Sequence, residues 1–209
     1  MNLKIDGLIL AAGKSGRLGY PKQVLQYNNK FFITNVFEKI SKVCQSIVIV
    51  LGYNSDLIRE KFEQEIVFDN SYKLGTLNKL KYVYNNDYEK GMFSSIQAGL
   101  KELIDSEYIL IHKVDQPSIP EQFYKMFIQE IEREIQILQP LHNKKRGHPI
   151  IIHNSVAKKI LEANSDTNLR EIRKNNSFTE KLWECEFPEI LIDIDTPNDY
   201  NDLTRGEKL

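Results

Sequence analysis

Cysteine is scarce: Cys44 and Cys185 are the only two, far apart and in neither a CxxC nor a CxxH spacing. That scarcity argues against a disulfide-stapled secreted fold and a cysteine zinc site, and fits thiols kept reduced in a cytoplasm. Also missing is an excess of charge of either sign, since 28 basic and 29 acidic side chains leave a formal net charge of −1. A nucleic-acid surface shows a basic stripe, so no nucleic-acid partner is expected, whereas a small anionic ligand needs only a local site. No hydrophobic run is long enough to span a bilayer, and Asp6 interrupts the N-terminal stretch MNLKIDGLILAAG before a signal-peptide core could form. The chain therefore reads as cytoplasmic and unprocessed, with no membrane partner. Repeats, low-complexity tracts and Pro-, Gly- or Ser-rich linkers are absent too, so residues 1–209 are expected to form one domain.

What is present is an alternation of short β-branched apolar runs with longer stretches of helical period. Strands are expected at 7–10, 46–51, 80–84, 108–114, 135–138, 149–152 and 191–194. Helices are expected at 32–40, 57–62, 93–103, 121–134, 155–163 and 198–203. Strand, helix, strand from the first residues onward implies parallel pairing with helical crossovers, hence an α/β sheet. Continuous apolar strands such as SIVIVL fit a sheet covered on both faces. Ligands of such sheets sit beyond the carboxyl ends of the strands, which directs attention to 11–17, 52–54, 85–93, 115–117 and 193–197.

The first of these, in LILAAGKSGRLGYPK, contains Gly13-Lys14-Ser15. A Walker loop would require glycine at position 8, which is Leu8, and Gly7 is one residue too early and inside the expected strand. A dinucleotide fingerprint would require a Gly-x-Gly pair, but Gly13, Gly16 and Gly19 are spaced three and three. Neither template fits. What remains is still suited to phosphate. Ala11, Ala12 and Gly13 allow close backbone approach, and the Gly13-Lys14-Ser15-Gly16 turn can aim N–H groups at oxygens. Arg17 and Lys22 add positive charge at the same place.

With four further pieces, this stretch resembles the MobA-like nucleotidyltransferases, closest to their molybdenum-cofactor cytidylyltransferase branch. The pieces are GMFSSI from Gly91, DQP from Asp115, RGHP from Arg146 and DIDTPNDY from Asp193, all in the family's order and spanning nearly the whole chain. The resemblance implies a three-layer α/β/α sandwich around a mostly parallel, Rossmann-like sheet of the nucleotide-diphospho-sugar transferase type. It implies Mg²⁺ as cofactor on Asp115 and Asp195, with Asp193 as the alternate. It also implies a triphosphate, CTP by the Ala-Ala-Gly reading, held by Ala11, Ala12, Gly13, Lys14, Ser15, Gly16, Arg17, Ser94 and Ser95. Arg17, Lys22 and Asp115 would be catalytic, and Arg146 and His148 would bind a phosphorylated acceptor, molybdopterin in this branch.

The residues themselves leave other roles open. Asp115 could simply form its turn, Asp195 could cap the following helix, and Ser94 and Ser95 could cap theirs. Arg146 and His148 could be ordinary solvated loop residues, although a loop histidine can also transfer a proton near neutral pH. Three departures stand out: Val114 replaces the glycine common before the metal aspartate, Leu18 replaces methionine, and Asn198 replaces glutamate. Residues 65–79 form a longer connection than the family needs. The expected reaction is nucleotidyl transfer with release of pyrophosphate. The alternatives are a non-catalytic nucleotide or cofactor binder, which Val114 favours, and a sugar- or alditol-phosphate nucleotidyltransferase.

Overall fold

The computed structural model describes residues 3–68, 80–164 and 167–205. Most of the unexplained segment 65–79 lies outside the described residues. The chain opens with β1 (Ile5–Ala11), a β2–β3 hairpin (Gln26–Tyr27, Lys30–Phe31) and α1 (Phe32–Ile40), then β4 (Ile47–Leu51) and α2 (Ser55–Phe68). It continues through β5 (Leu80–Tyr84), α3 (Met92–Leu100), β6 (Tyr108–Lys113) and α4 (Glu121–Phe127). The last third contains β7 (Ile137–His142), β8 (Lys145–Arg146), β9 (Ile150–His153), α5 (Asn154–Glu162), α6 (Leu169–Asn175), β10 (Glu180–Glu184) and α7 (Pro197–Arg205).

One sheet runs β10-β7-β9-β6-β1-β4-β5, with β8 paired to β7. Strands β6, β1, β4 and β5 are mutually parallel, as are β7 and β10; β9 runs antiparallel to both neighbours. The chain travels outward from β1 through β4 to β5 and then returns to the other side of β1 as β6. That reversal opens a crevice at the carboxyl ends of β1 and β6, the place where doubly wound sheets bind ligands.

Every residue of β1 is buried, and its pleat divides them between two helical layers. Ile9 joins Phe32, Phe37, Ile58 and Phe62 on one face. Leu8 and Leu10 join Ile96, Leu100 and Ile160 on the other. The architecture is the expected α/β/α sandwich with a mostly parallel sheet. Asp6, buried in β1, accepts from the Ser46 amide and hydroxyl (2.9 and 2.6 Å) and from the Ser106 hydroxyl (2.6 Å). One carboxylate thus ties together the starts of the three central strands.

Several elements differ from their sequence expectation. The helix expected at 121–134 stops at Phe127 and tightens to a 3₁₀ turn over Ile128–Glu130. Ile131 and Ile135 keep a helical spacing, yet both pack from an irregular lead-in to β7. The helix expected at 57–62 runs longer, over Ser55–Phe68. The strand expected at 191–194 is absent: Pro188–Leu191 is a 3₁₀ turn, and the apolar run that suggested a strand instead sends Ile190 and Ile194 into the core from a loop. The real edge strand is β10, where Glu180, Glu184 and the exposed Leu182 leave no continuous apolar run.

Gly99 of α3 lies directly on the sheet, where an added Cβ would sit 2.2 Å from Leu8 Cδ1 and 2.8 Å from Val50 Cγ2. Gly99→Ala is therefore expected to lower unfolding free energy by about 1–3 kcal/mol through overpacking, despite alanine's better helix propensity. Urea denaturation checks this.

Candidate active site

The loop after β1 is shaped by two residues that never face solvent freely. Ser15, at φ 55°, accepts the Lys22 N–H on its hydroxyl at 3.0 Å. Gln23, fully buried, donates to the carbonyls of Ala11 (2.7 Å) and Gly13 (3.0 Å). These bonds fold the loop back so that the short turn Lys22–Val24 presents Lys22 to the crevice.

There the Lys22 ammonium lies 2.7 Å from both Asp115 Oδ2 and Asp195 Oδ1, while Arg17 donates to Asp195 Oδ2 at 2.8 Å. Burial opposes the charge on Lys22, but the two carboxylates outweigh it and hold its pKa above the ordinary lysine value. Burial likewise disfavours ionised Asp195, and Lys22, Arg17 and Lys113 reverse that, holding its carboxyl below the usual range. Capping of α7 belongs to Thr196 and Asp199. The Thr196 hydroxyl accepts the Asp199 N–H (3.2 Å), and the Asp199 carboxylate accepts the N–H groups of Thr196 (2.7 Å) and Asp195 (3.0 Å). The Asp195 side chain is thereby left to the site. Asp115 is joined to the same segment through its carbonyl, which accepts the Ile194 N–H at 2.9 Å.

A cavity of about 220 Å³ opens beside this cluster, walled among others by Ala12, Gly13, Lys22, Ser95, Lys113 and Asp115. Gly13 needs no internal contact to explain it, since a Cβ there would meet nothing within 4 Å; its lack of a side chain keeps the wall open. Lys14 pairs with Glu89 above the ring of Tyr88, which lines this cavity. Gly16 and Arg17 continue the loop outward. Of the two serines, Ser95 lines the cavity, while Ser94 is spent inside the preceding loop. Its hydroxyl accepts from Asn85 (2.9 Å) and lies 2.8 Å from the Gly91 carbonyl. Neither serine caps α3, whose N-cap is Gly91 at φ 99° with no side-chain cap. Val114 is buried in the core with one edge on the cavity wall, and its N–H donates to Leu10 O at 3.2 Å.

Met92 also borders a second cavity of about 590 Å³, lined by Arg146, His148, Arg170, Arg173, Lys174 and Glu180 among others. Arg146 is exposed and only 3.5 Å from Glu180. Arg173 is committed, with a two-pronged bond to Glu180 (2.7 and 2.5 Å) and a third to Gln139 (2.7 Å). His148 is not the exposed loop histidine that its sequence context allows. Burial, then the charge of Lys113, lowers its pKa to about 4, and its buried Nδ1 has no hydrogen-bond partner. It is a neutral imidazole at physiological pH, so the expectation of proton transfer near neutrality is corrected.

The structure thus brings Arg17, Lys22, Asp115 and Asp195 together, and sets Arg146 and His148 in an adjoining cavity. Sequence reading missed Gln23, Lys113 and the basic face of α6. Lys113 was legible as the last residue of the strand that delivers Asp115, at the carboxyl end where ligands sit. Helix α6 was announced by Asn168 and Glu171, where the Asn168 side chain accepts the Glu171 N–H at 3.0 Å.

The family model of the MobA-like NTP transferase domain matches residues 7–181. The chain belongs to that family. It is 26% identical over 197 residues to the "Molybdenum cofactor cytidylyltransferase" of Escherichia coli, covering 94% of this chain and 93% of that one. Identity is 25% to a "Probable molybdenum cofactor guanylyltransferase" of Bacillus mycoides (75% and 72% covered). It is also 25% to the "Nicotine blue oxidoreductase" of Paenarthrobacter nicotinovorans (92% of each). Among solved structures, a nucleotidyl transferase from Methanothermobacter superposes with a TM-score of 0.76 at 16% identity, covering 97% and 99%. In this MobA-like fold the crevice at β1 and β6 holds the Ala11–Arg17 loop, and Val114 fills core rather than cavity on most of its surface. Among the described residues no helix is long and apolar enough to cross a membrane.

The buried His148 has a thermodynamic consequence. Unfolded, it takes up a proton near pH 6.5; folded, it resists until about 4. Between those values the unfolded chain binds more protons, so stability present above pH 6.5 is lost as pH falls through that window. From pH 7 to 4.5, wild type should lose about 2 kcal/mol more than His148→Gln in urea unfolding.

Proposed function

We propose that this protein transfers CMP from CTP to the phosphate of a molybdopterin-type acceptor, with Mg²⁺, releasing pyrophosphate. The observation that carries this reading is the Lys22 ammonium held between Asp115 and Asp195, 2.7 Å from each, at the edge of a cavity behind the Ala-Ala-Gly loop. The donor set fits the metal. Asp115 Oδ1 is buried without a hydrogen-bond partner, and Asp195 brings a second carboxylate to the same point. Two carboxylates plus substrate phosphates suit Mg²⁺ better than an all-protein cage would. Bound there, Mg²⁺ would neutralise phosphate charge and polarise the reacting phosphoryl group.

In the reaction a phosphate oxygen of the acceptor attacks the α-phosphorus of CTP. A new P–O bond forms, the α–β bridging P–O bond breaks, and pyrophosphate departs with its electron pair. An acceptor phosphate dianion needs no general base, so the protein's work is positioning and charge stabilisation. Ala11, Ala12, Gly13, Lys14, Ser15 and Gly16 surround the triphosphate. Arg17, solvent-facing and paired with Asp195, turns to the leaving pyrophosphate. Lys22 passes from its carboxylates to bridge the α-phosphate and the acceptor. Ser95 contributes to the cavity wall, and Ser94 supports the loop behind it.

Two features support the finer choices. The Ala11-Ala12-Gly13 loop, whose Ala12 and Gly13 line the 220 Å³ cavity, reads as the cytidylyl branch does and supports CTP as donor. The adjoining 590 Å³ cavity, bordered by Arg146 and His148, suits a large anionic acceptor better than a small alditol phosphate. The oxidoreductase among the relatives gives a second reading, a redox enzyme on the same fold, which nucleotide preference separates from the first.

Thermal stabilisation by CTP, GTP, ATP, UTP, NAD and NADPH, each with and without Mg²⁺, tests this. Saturating CTP with Mg²⁺ should raise Tm by about 5–10 °C and the other ligands by less. GTP preference would keep the reaction and change the base; NAD or NADPH alone would overturn the transferase reading. Asp115→Asn should lower Mg²⁺-dependent turnover roughly 100-fold or more while leaving the fold intact. Full turnover in that variant would refute its role.

A further inference from the structure

Lys113 is the last residue of β6, two before Asp115, and it belongs to no motif described above. His112 points the opposite way, into the core, where its ring hydrogen-bonds the Tyr124 hydroxyl (2.7 Å). Lys113 points away from that core and lines the smaller cavity together with Asp115. Its ammonium is paired with Asp193 and lies 3.9 Å from the otherwise unpartnered Asp115 Oδ1. Its charge is also felt by His148, the buried imidazole of the larger cavity. Met92 borders both spaces.

Together these place a half-buried lysine on the wall of the smaller cavity, on the side of Met92, which borders both cavities. The cations around Asp115 are divided. Lys22 is engaged twice, at 2.7 Å from each of two carboxylates. Lys113 has one close partner, Asp193, which is itself more than a third exposed and can turn to water when a stronger anion arrives. A phosphate entering from the Arg146 and His148 side toward the α-phosphorus passes this junction. A phosphate monoester dianion is a better partner for a partly buried ammonium than a single solvated carboxylate, because it offers three oxygens and more charge.

We propose that Lys113 is the residue that receives the acceptor's attacking phosphate monoester, exchanging Asp193 for it. This rests on the transferase reading and adds the contact on the acceptor side of the reacting centre. Lys22 and Lys113 then flank the transfer. Lys22 bridges to the α-phosphate, and Lys113 holds the nucleophilic group against charge repulsion from the triphosphate. Asp193 acts as a placeholder that keeps the lysine paired and aimed when the acceptor is absent.

The test uses full-length protein saturated with α,β-methylene-CTP and Mg²⁺, titrated with phenyl phosphate as the monoester probe. Lys113→Met should weaken phenyl phosphate binding about tenfold or more, the loss expected for one charge-assisted contact. Its affinity for α,β-methylene-CTP should fall less than its affinity for phenyl phosphate, since Lys113 is one of several residues lining the nucleotide cavity, and Lys113→Arg should recover most of the probe loss. Asp193→Asn, which removes the competing carboxylate, should tighten phenyl phosphate binding. A merely structural Lys113–Asp193 pair would instead make Asp193→Asn weaken the probe as Lys113→Met does, and that result would overturn the proposal. So would unchanged probe binding in Lys113→Met, or no probe binding to wild type. Failure of α,β-methylene-CTP to bind wild type is a different outcome: it removes the transferase reading itself, and this inference with it.

Discussion

The bifurcated ion pair of Lys22 with Asp115 and Asp195 is the contact on which the rest of the site depends. Its members come from the first loop, the end of β6 and the segment before α7, 173 residues apart at the extreme. Two carboxylates brought this close in a partly buried place would repel one another without a cation between them. The desolvation of three charges is offset only by near-ideal geometry. The surrounding bonds supply that geometry. Ser15 and Gln23 fold the loop back, Asp199 and Thr196 cap α7, and the Ile194–Asp115 backbone bond locks the two acidic segments together.

The sheet makes this convergence possible. Because β1 and β6 are parallel neighbours, their carboxyl ends release two loops at the same edge, and the reversal of strand order leaves a crevice between them. The buried Asp6 carboxylate pins the opposite end of the same strands through Ser46 and Ser106, so that register at the site is set from below. The single antiparallel strand of the main path, β9, brings the turn bearing Arg146 and His148 alongside. The two cavities adjoin because β6 is paired on one side with β1 and on the other with β9.

Much of this was legible along the chain. The alternation of buried runs and helical periods indicated the layered α/β fold, since continuous apolar strands and amphipathic helices each demand a partner layer. The small residues before Lys14 and the Asp115-Gln116-Pro117 turn marked the site because each follows a buried strand; the RGHP stretch and the turn at Asp195 marked it by motif, the latter leaving a 3₁₀ turn where a strand was expected. The polar edge strand β10 was hidden, for a strand with one neighbour need not be apolar on both faces. Helix α6 carried a capping signal at Asn168 and Glu171 but almost no apolar periodicity, as Ile172 is its only buried residue.

The sequence by itself determined the fold class, the family and the set of chemical groups that could serve phosphate transfer, because these depend on local period and on motif order. Only the tertiary structure decided how those groups are shared. It gave Lys22 both carboxylates, relieved Asp195 of capping, drew Ser94 away from the cavity and put Lys113 beside Asp115. It also buried His148 deeply enough to keep it neutral. The reason is physical: a side chain's charge state and partner depend on burial and on groups distant in sequence, and chain order specifies neither until the sheet has brought them together.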